Sequence, residues 1–409
     1  MSAVNVKDST IAPSAPAIPA GLLARFCERI VPQVARGRLS LVLPGGAVVV
    51  RAGAGTGPDA QMVVHRARAL RRLVIDGEVG FVDGYLDGDW STPDLPALLS
   101  FVLANEETLR PRGRPSRLST LRNRLRHAMR ANTRRGSRRN IAAHYDLGNA
   151  FYAHWLDAGM NYSSAIYERG GESLEAAQSA KVERIVELMG IAGGERVLEI
   201  GCGWGALAER LSPDVAYTGI TLSSEQRAYA LDRLAGLGAG PPDVRLEDYR
   251  DVAGTFDRVV SIEMFEAVGE RYWPVYFDKL RSVLAAQGCA VLQVITIAAS
   301  RFSRYRRNPD FIQRHIFPGG MLPTVEHLEA LAARSGLAIV ARQSFGWSYA
   351  ETLHEWRLRF GRAWPAIEAL GFDERFRRMW DYYLAYCETG FRSGTIDVGL
   401  FKLVPDPAR

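Results

Sequence analysis

From residue 174 onward, short apolar runs alternate with longer stretches whose apolar positions recur every three or four residues. A short continuous apolar run reads as a strand, and the three-to-four period as a helix. Strands are predicted at 196–200, 216–221, 244–247, 257–262, 290–295, 337–344 and 398–404, with helices at 174–189, 223–234, 272–284 and 325–335. Such alternation predicts an α/β fold built on an open, Rossmann-like, seven-stranded sheet. Between the last two strands lies an insertion at about 349–391, dense in Trp, Tyr, Phe and Arg. Its aromatics read first as helix-packing core.

The N-terminal part has a different texture. The apolar run 41–50 is broken by Pro44-Gly45-Gly46, which predicts a hairpin, and 60–75 reads as mixed strand and helix. Residues 80–90, with three glycines and three aspartates, read as turns leading to a helix capped near Asp94. The expected organisation is a leader at 1–21, a small α+β accessory domain at 22–108, a linker or amphipathic helix at 109–140, and the larger α/β domain at 141–409. A length of 409 residues suits two domains, and 47% apolar residues suffice for ordinary cores. The Ala/Pro/Ser-rich leader lacks the basic start and apolar centre of a signal peptide.

Charge changes this picture in one place. The net charge is +6, yet residues 110–139 hold twelve arginines and no acid, so the rest of the protein is net acidic. Leu118, Leu121, Leu125 and Met129 share one helical face among these arginines. That pattern suits an anionic membrane surface, where each basic side chain contributes roughly 1 kcal/mol. A solvated linker and a nucleic-acid clamp are the other readings. No apolar run approaches the roughly 20 residues that span a bilayer. The four cysteines form no CxxC pair, and no His stands at zinc-finger spacing, so neither a disulfide framework nor a metal site is expected. Reduced thiols fit a cytoplasmic protein.

The densest chemical signal is Val197-Leu198-Glu199-Ile200-Gly201-Cys202-Gly203-Trp204-Gly205, a strand, an acid and three alternating glycines. Glycines let backbone turn sharply and approach a ligand closely, and Glu199 can hold a cationic or hydroxyl-bearing group. Ending at Ala206, the loop also fits a loose dinucleotide fingerprint. Against that reading, the next strand ends in Thr221 where a ribose-binding acid would stand. The acid-x-G-x-G-x-G order resembles the loop of S-adenosylmethionine (SAM) methyltransferases.

A series of motifs extends the resemblance: His144-Tyr145-Asp146-Leu147-Gly148-Asn149, Asn161-Tyr162-Ser163-Ser164, and Gly219-Ile220-Thr221-Leu222-Ser223-Ser224-Glu225-Gln226. Asp248-Tyr249-Arg250-Asp251, Ser261-Ile262-Glu263-Met264-Phe265-Glu266-Ala267-Val268-Gly269, Phe317-Pro318-Gly319-Gly320 and Phe345-Gly346 before Tyr349 complete it. In this order they resemble the cyclopropane-fatty-acyl-phospholipid synthase family, which includes the mycolic acid cyclopropane synthases. The resemblance implies a class I methyltransferase fold. It also implies SAM held by Tyr162, Ser163, Glu199, Gly201, Gly203, Thr221, Leu222, Gln226 and Asp248.

The implied reaction is methyl transfer to the double bond of unsaturated phospholipid acyl chains, most simply closing a cyclopropane ring. The alternative is a methyltransferase that acts on acyl carbons and leaves methyl or methylene branches. Aromatic faces stabilise a carbocation by roughly 0.5–2 kcal/mol each, and Tyr162, Phe265, Tyr272, Trp273, Tyr305 and Tyr349 are expected near the mouth. In the family, bicarbonate is the base, caged by a cysteine, a glutamate, a histidine, an isoleucine backbone and a tyrosine. The matching positions are Ser164, Glu266, Gln293, Ile295 and Tyr349, so serine replaces cysteine and glutamine replaces histidine. The resemblance further implies a cytoplasmic enzyme associated peripherally with the inner face of the membrane; a homodimer stays open.

Two other classes compete. A nucleic-acid methyltransferase would carry an Asn/Asp-Pro-Pro-aromatic loop after the fourth strand, where this sequence has Glu263-Met264-Phe265-Glu266. That departure argues against a nucleic-acid partner. A catalytically dead lipid-binding protein is the reading the two cage substitutions leave.

Overall fold

The computed structural model describes residues 33–109, 147–211, 213–237 and 242–406. The arginine-rich segment, Cys27 and His144-Tyr145-Asp146 lie outside the described residues. The protein divides into two compact units, Met1–Arg112 and Gly113–Arg409.

In the first unit, β1 (Arg36–Val42) and β2 (Val48–Ala52) form the expected antiparallel hairpin, its turn made by Gly45 and Gly46 at positive φ. The mixed 60–75 stretch resolves into β3 (Gly55–Val64), parallel to β1, and helix α1 (Arg68–Asp76). The turn-rich reading of 80–90 is corrected. Most of that stretch is helix α2 (Glu78–Leu86). Its glycines serve close packing: a Cβ on Gly80 would lie 2.1 Å from the Arg72 carbonyl oxygen, and one on Gly84 would lie 3.0 Å from the Trp90 ring. The two-residue β4 (Trp90–Ser91) closes the sheet order β2-β1-β3-β4. Helix α3 (Leu95–Ala104) begins where expected, with the Asp94 carboxylate accepting from Ala97 N–H at 2.9 Å.

The second unit carries the seven-stranded sheet. Its strands are β5 (Arg196–Ile200), β6 (Ala216–Thr221), β7 (Asp243–Leu246), β8 (Phe256–Ile262), β9 (Leu284–Ile297), β10 (Leu337–Ser344) and β11 (Ile396–Pro405). The order is β10-β11-β9-β8-β5-β6-β7, with β11 antiparallel to both neighbours. β9 starts earlier than the apolar run because its first residues include polar Gln287 and Gly288. Helices α4 (Leu174–Met189), α5 (Ser224–Leu234), α6 (Trp273–Val283) and α7 (Val325–Arg334) lie where the periodicity places them. Ser173, Ser223 and Thr324 cap three of them.

The backbone runs outward from β5 through β6 to β7, then returns to the other side at β8 and β9. This reversal beside β5 makes the carboxyl ends of β5 and β8 the natural ligand crevice. The main core lies between the sheet and α6 and α7, and includes Phe265, Trp273, Tyr276 and Phe277. Two of the aromatics expected at the mouth, Phe265 and Trp273, are therefore core. They stack on each other in the interior, where their burial is worth more than any cation contact.

The insertion is two helices, α8 (Gly346–Ala369) and α9 (Glu374–Arg392). Their aromatics form a continuous cluster with Phe151 and Trp155, centred on the fully buried Trp356 and Trp380. Among the described residues, no helix is long and apolar enough to cross a membrane.

Candidate active site

The strand ends bring the glycine loop and an acidic pair together. Gly201, Gly203 and Gly205 all have positive φ, which L side chains rarely adopt. Gly201 also packs so that a Cβ would meet Met264 Cγ at 3.0 Å, while space beside Gly203 is open. Glu199 is buried and accepts from the Tyr217 hydroxyl at 2.6 Å; burial pushes its carboxyl up to about 7. At the end of β6, Thr221 donates to the Gln226 side-chain oxygen at 2.8 Å, and both are buried. Leu222 is half-buried beside them. These residues fit an adenosine-bearing ligand: glycine backbone, a buried acid and a hydroxyl–amide pair at adjacent strand ends.

Asp248 stands apart in its bonding. It forms a two-pronged ion pair with Arg250 at 2.8 and 2.6 Å, and also accepts from the Arg250 backbone. Arg250 in turn lies over the rings of Tyr249 and Tyr272. Asp248 thus anchors its turn through its carboxylate. Tyr162 sits among Tyr152, Trp155 and Trp356, its hydroxyl 2.9 Å from that of Tyr383. Next to it, Ser163 is buried.

The expected five-residue cage is divided between two carboxylates. Glu263, at positive φ just past β8, takes three of its members. Ser164 N–H donates to Glu263 Oε1 at 2.8 Å, the Gln293 side-chain amide donates to the same oxygen at 2.7 Å, and the Tyr349 hydroxyl donates to Oε2 at 2.6 Å. Ser164 acts through its backbone; its hydroxyl is spent on the Ala165 carbonyl at 2.9 Å. Ile295 N–H goes instead to Glu266 Oε1 at 2.5 Å. Glu266 Oε2 and Gln293 Oε1 are buried without a hydrogen-bond partner among the described residues.

Burial and the neighbouring Glu263 push the Glu266 carboxyl up to about 8. Burial also raises Glu263, opposed by its three donors and by Lys181. The pair is therefore unequal: three donors stabilise the charge of Glu263, whereas Glu266, with the single Ile295 N–H, stays neutral near pH 7. Stability follows from the sign. Between about pH 4.5 and 8 the unfolded state sheds the Glu266 proton while the folded state keeps it, so stability falls as pH rises. Glu266→Gln is expected to raise Tm at pH 8 by about 2–4 °C for each kcal/mol relieved, with no gain at pH 4. Thermal melts at the two pH values test this, and an equal shift at both would contradict it.

Glu263 was not among the predicted site residues. Two signals point to it: the glutamine at 293, whose amide donates to it, and an acid three residues before Glu266.

A seven-stranded, mostly parallel sheet with an acid and three glycines at its switch point defines a SAM-dependent methyltransferase of class I. Residues 132–401 match the family described as mycolic acid cyclopropane synthetase. The protein belongs to that family.

It is 39% identical to the tuberculostearic acid methyltransferase UfaA1 of Mycobacterium tuberculosis, over 97% of this chain and 96% of that one. It is 36% identical to the cyclopropane-fatty-acyl-phospholipid synthase of Escherichia coli, over 82% and 85%. Among solved structures it resembles the mycolic acid cyclopropane synthase CmaA1 complexed with SAH and CTAB, at 31% identity and a TM-score of 0.61, over 65% of this chain and 97% of that one. At 18% identity and a TM-score of 0.62, a coclaurine N-methyltransferase shares the fold. The family's chemistry is SAM-dependent methylation of lipid acyl chains.

Proposed function

We propose that the enzyme methylates the double bond of unsaturated phospholipid acyl chains and that the proton released is taken by the carboxylate of Glu263. The observation that carries this is the Glu263 carboxylate held by Ser164 N–H, Gln293 and Tyr349, the donors expected round a bicarbonate. In this reading a protein carboxylate replaces the bound anion.

SAM, when bound, supplies an electrophilic methyl group. Tyr162, Ser163, Glu199, Gly201, Gly203, Thr221, Leu222, Gln226 and the Asp248 turn would hold it. As the methyl group leaves its sulfonium sulfur, which keeps the S–C pair, the alkene π pair would form the new carbon–carbon bond and leave a cation on the neighbouring acyl carbon. A hydride shift brings that cation to the carbon bearing the new methyl group. Glu263 then takes a proton from the methyl group, and the released C–H pair closes an exocyclic double bond. Without the shift, loss of the same proton would close a ring. Three donors orient the carboxylate without neutralising it, and burial raises its basicity. Glu266, kept neutral with Oε2 unpartnered among the described residues, and Ile295 N–H complete the polar wall. The Tyr349 hydroxyl bonds the same carboxylate, so its ring would lie within reach of the cation.

The product we favour is a methylene branch. A relative matched over nearly the whole chain is named a tuberculostearic acid methyltransferase, which supports a branch over a ring, and a methylene branch needs only the loss of a proton, with no reductant. A cyclopropane ring is the second reading, favoured by the match to the Escherichia coli synthase. We assign the enzyme to the inner membrane face through its arginine-rich segment.

Purified enzyme, carbon-13-methyl SAM and anionic vesicles of unsaturated phospholipid test this together. NMR of the fatty acids is expected to show labelled exocyclic methylene, and turnover is expected to fall with salt. Label in ring carbons would replace the first product by the second. Label in the head group, or none, would overturn the function.

A further inference from the structure

Lys181, on α4, is a buried ammonium with no counterion at contact distance among the described residues. It is 1% exposed, and its Nζ donates to the Asn161 side-chain oxygen at 3.2 Å and the Ser163 hydroxyl oxygen at 2.9 Å. Burial lowers its pKa, and Asp157, Glu263 and Glu199 oppose this only through longer-range attraction. An ammonium has three donors, and two are used. Burying such a charge costs several kcal/mol unless an anion comes close.

The acceptors of Lys181 are themselves fixed. Asp157 accepts from the Asn161 backbone at 2.9 Å and from its side-chain amide at 2.8 Å, next to Met160 at positive φ. Ser163 is tied through its carbonyl, which accepts from Gln178 at 2.8 Å. Because the Ser163 oxygen accepts from Lys181, its own proton must point elsewhere. Among the described residues that proton has no acceptor. A buried hydroxyl forced to donate, beside a buried cation lacking a close anion, is half of a carboxylate site.

The other half of an amino-acid site is nearby. Glu199, whose charge reaches Lys181, is a buried carboxylate at the glycine loop. The methionyl end of SAM carries one ammonium and one carboxylate, a matching pair of opposite charges. We propose that Lys181 is the positioning cation for the SAM carboxylate, acting through Ser163, whose hydroxyl donates to it while Glu199 faces the ammonium. The assignment rests on SAM as donor and is independent of what the methyl group is transferred to. Residues 162–164 then link two tasks: Ser163 grips the donor, and the next backbone N–H holds Glu263.

Calorimetric titration of the full-length protein with three nucleosides tests this. S-adenosylhomocysteine carries the whole amino-acid end, its decarboxylated analogue lacks the carboxylate, and 5′-methylthioadenosine lacks the amino-acid end. The parent protein is expected to prefer S-adenosylhomocysteine over the decarboxylated analogue by at least about tenfold. Lys181→Met and Ser163→Ala should each lose about that factor for S-adenosylhomocysteine and leave 5′-methylthioadenosine within about twofold; Lys181→Arg should recover part of the loss. Equal loss for all three nucleosides would mean a structural role and overturn the proposal. So would a parent protein indifferent to the carboxylate. If Lys181→Met does not fold, Ser163→Ala and the parent's preference still decide. Acyl product analysis plays no part in the readout, so a failure here is separate from a failure of the proposed function.

Discussion

Glu263→Gln is expected to lose methylation of acyl chains by roughly 10²–10⁴-fold, the usual contribution of a positioned general base, with unchanged affinity for S-adenosylhomocysteine. The substitution keeps the side chain's size and removes only its charge and basicity. Its amide oxygen can still accept from Ser164 N–H and Gln293, while its new NH₂ group faces the Tyr349 hydroxyl, which reverses to accept. Turnover with vesicles and calorimetry with the nucleoside separate the two quantities. Activity within about threefold of the parent would remove Glu263 from proton transfer. Loss of both quantities would place it in folding or in donor binding.

Trp356→Ala is expected to cost about 3–5 kcal/mol of stability, the range for emptying a large buried aromatic site. Trp356 is fully buried on α8, with ring centres 5.5 Å from Trp155, 5.4 Å from Tyr162 and 6.2 Å from Tyr349. Its removal frees both Tyr162 and Tyr349, so activity should fall together with the urea midpoint. Trp356→Phe, which refills most of the volume, should keep the larger part of both. A midpoint unchanged in the alanine variant would mean that the helical pair is not integral to the catalytic unit's core.

The sheet was legible because each strand is an apolar run bounded by turn residues, and β5, β6 and β10 begin and end where those runs do. The start of β9 is not legible because Gln287-Gly288 interrupts its apolar run, so Leu284 reads as the last residue of the preceding helix. Helix α2 reads as turns in the sequence because glycine and aspartate are turn formers by local preference. What overrides that preference is contact: Gly80 and Gly84 let α2 lie against Arg72 and Trp90. Such a use of glycine is tertiary and leaves no local trace.

The site was legible as a set of positions and less so as a set of bonds. Thr221 at the end of β6 bonds Gln226 in the first turn of α5, a contact the sequence does not display. The fate of the five cage positions depended on where the Glu263 side chain goes, and this follows from a positive φ that sequence does not display. The chemical trace was present all the same. Gln293 offers an amide N–H well suited to a fixed carboxylate, whereas the Ser164 backbone N–H would be present with almost any residue there.

Bicarbonate dependence is the most direct measurement. Turnover of the parent enzyme should be the same in carbon-dioxide-free buffer as in added bicarbonate, because the proton acceptor is part of the protein. Loss of turnover on depletion, restored by adding bicarbonate back, would contradict the assignment of Glu263 as that acceptor.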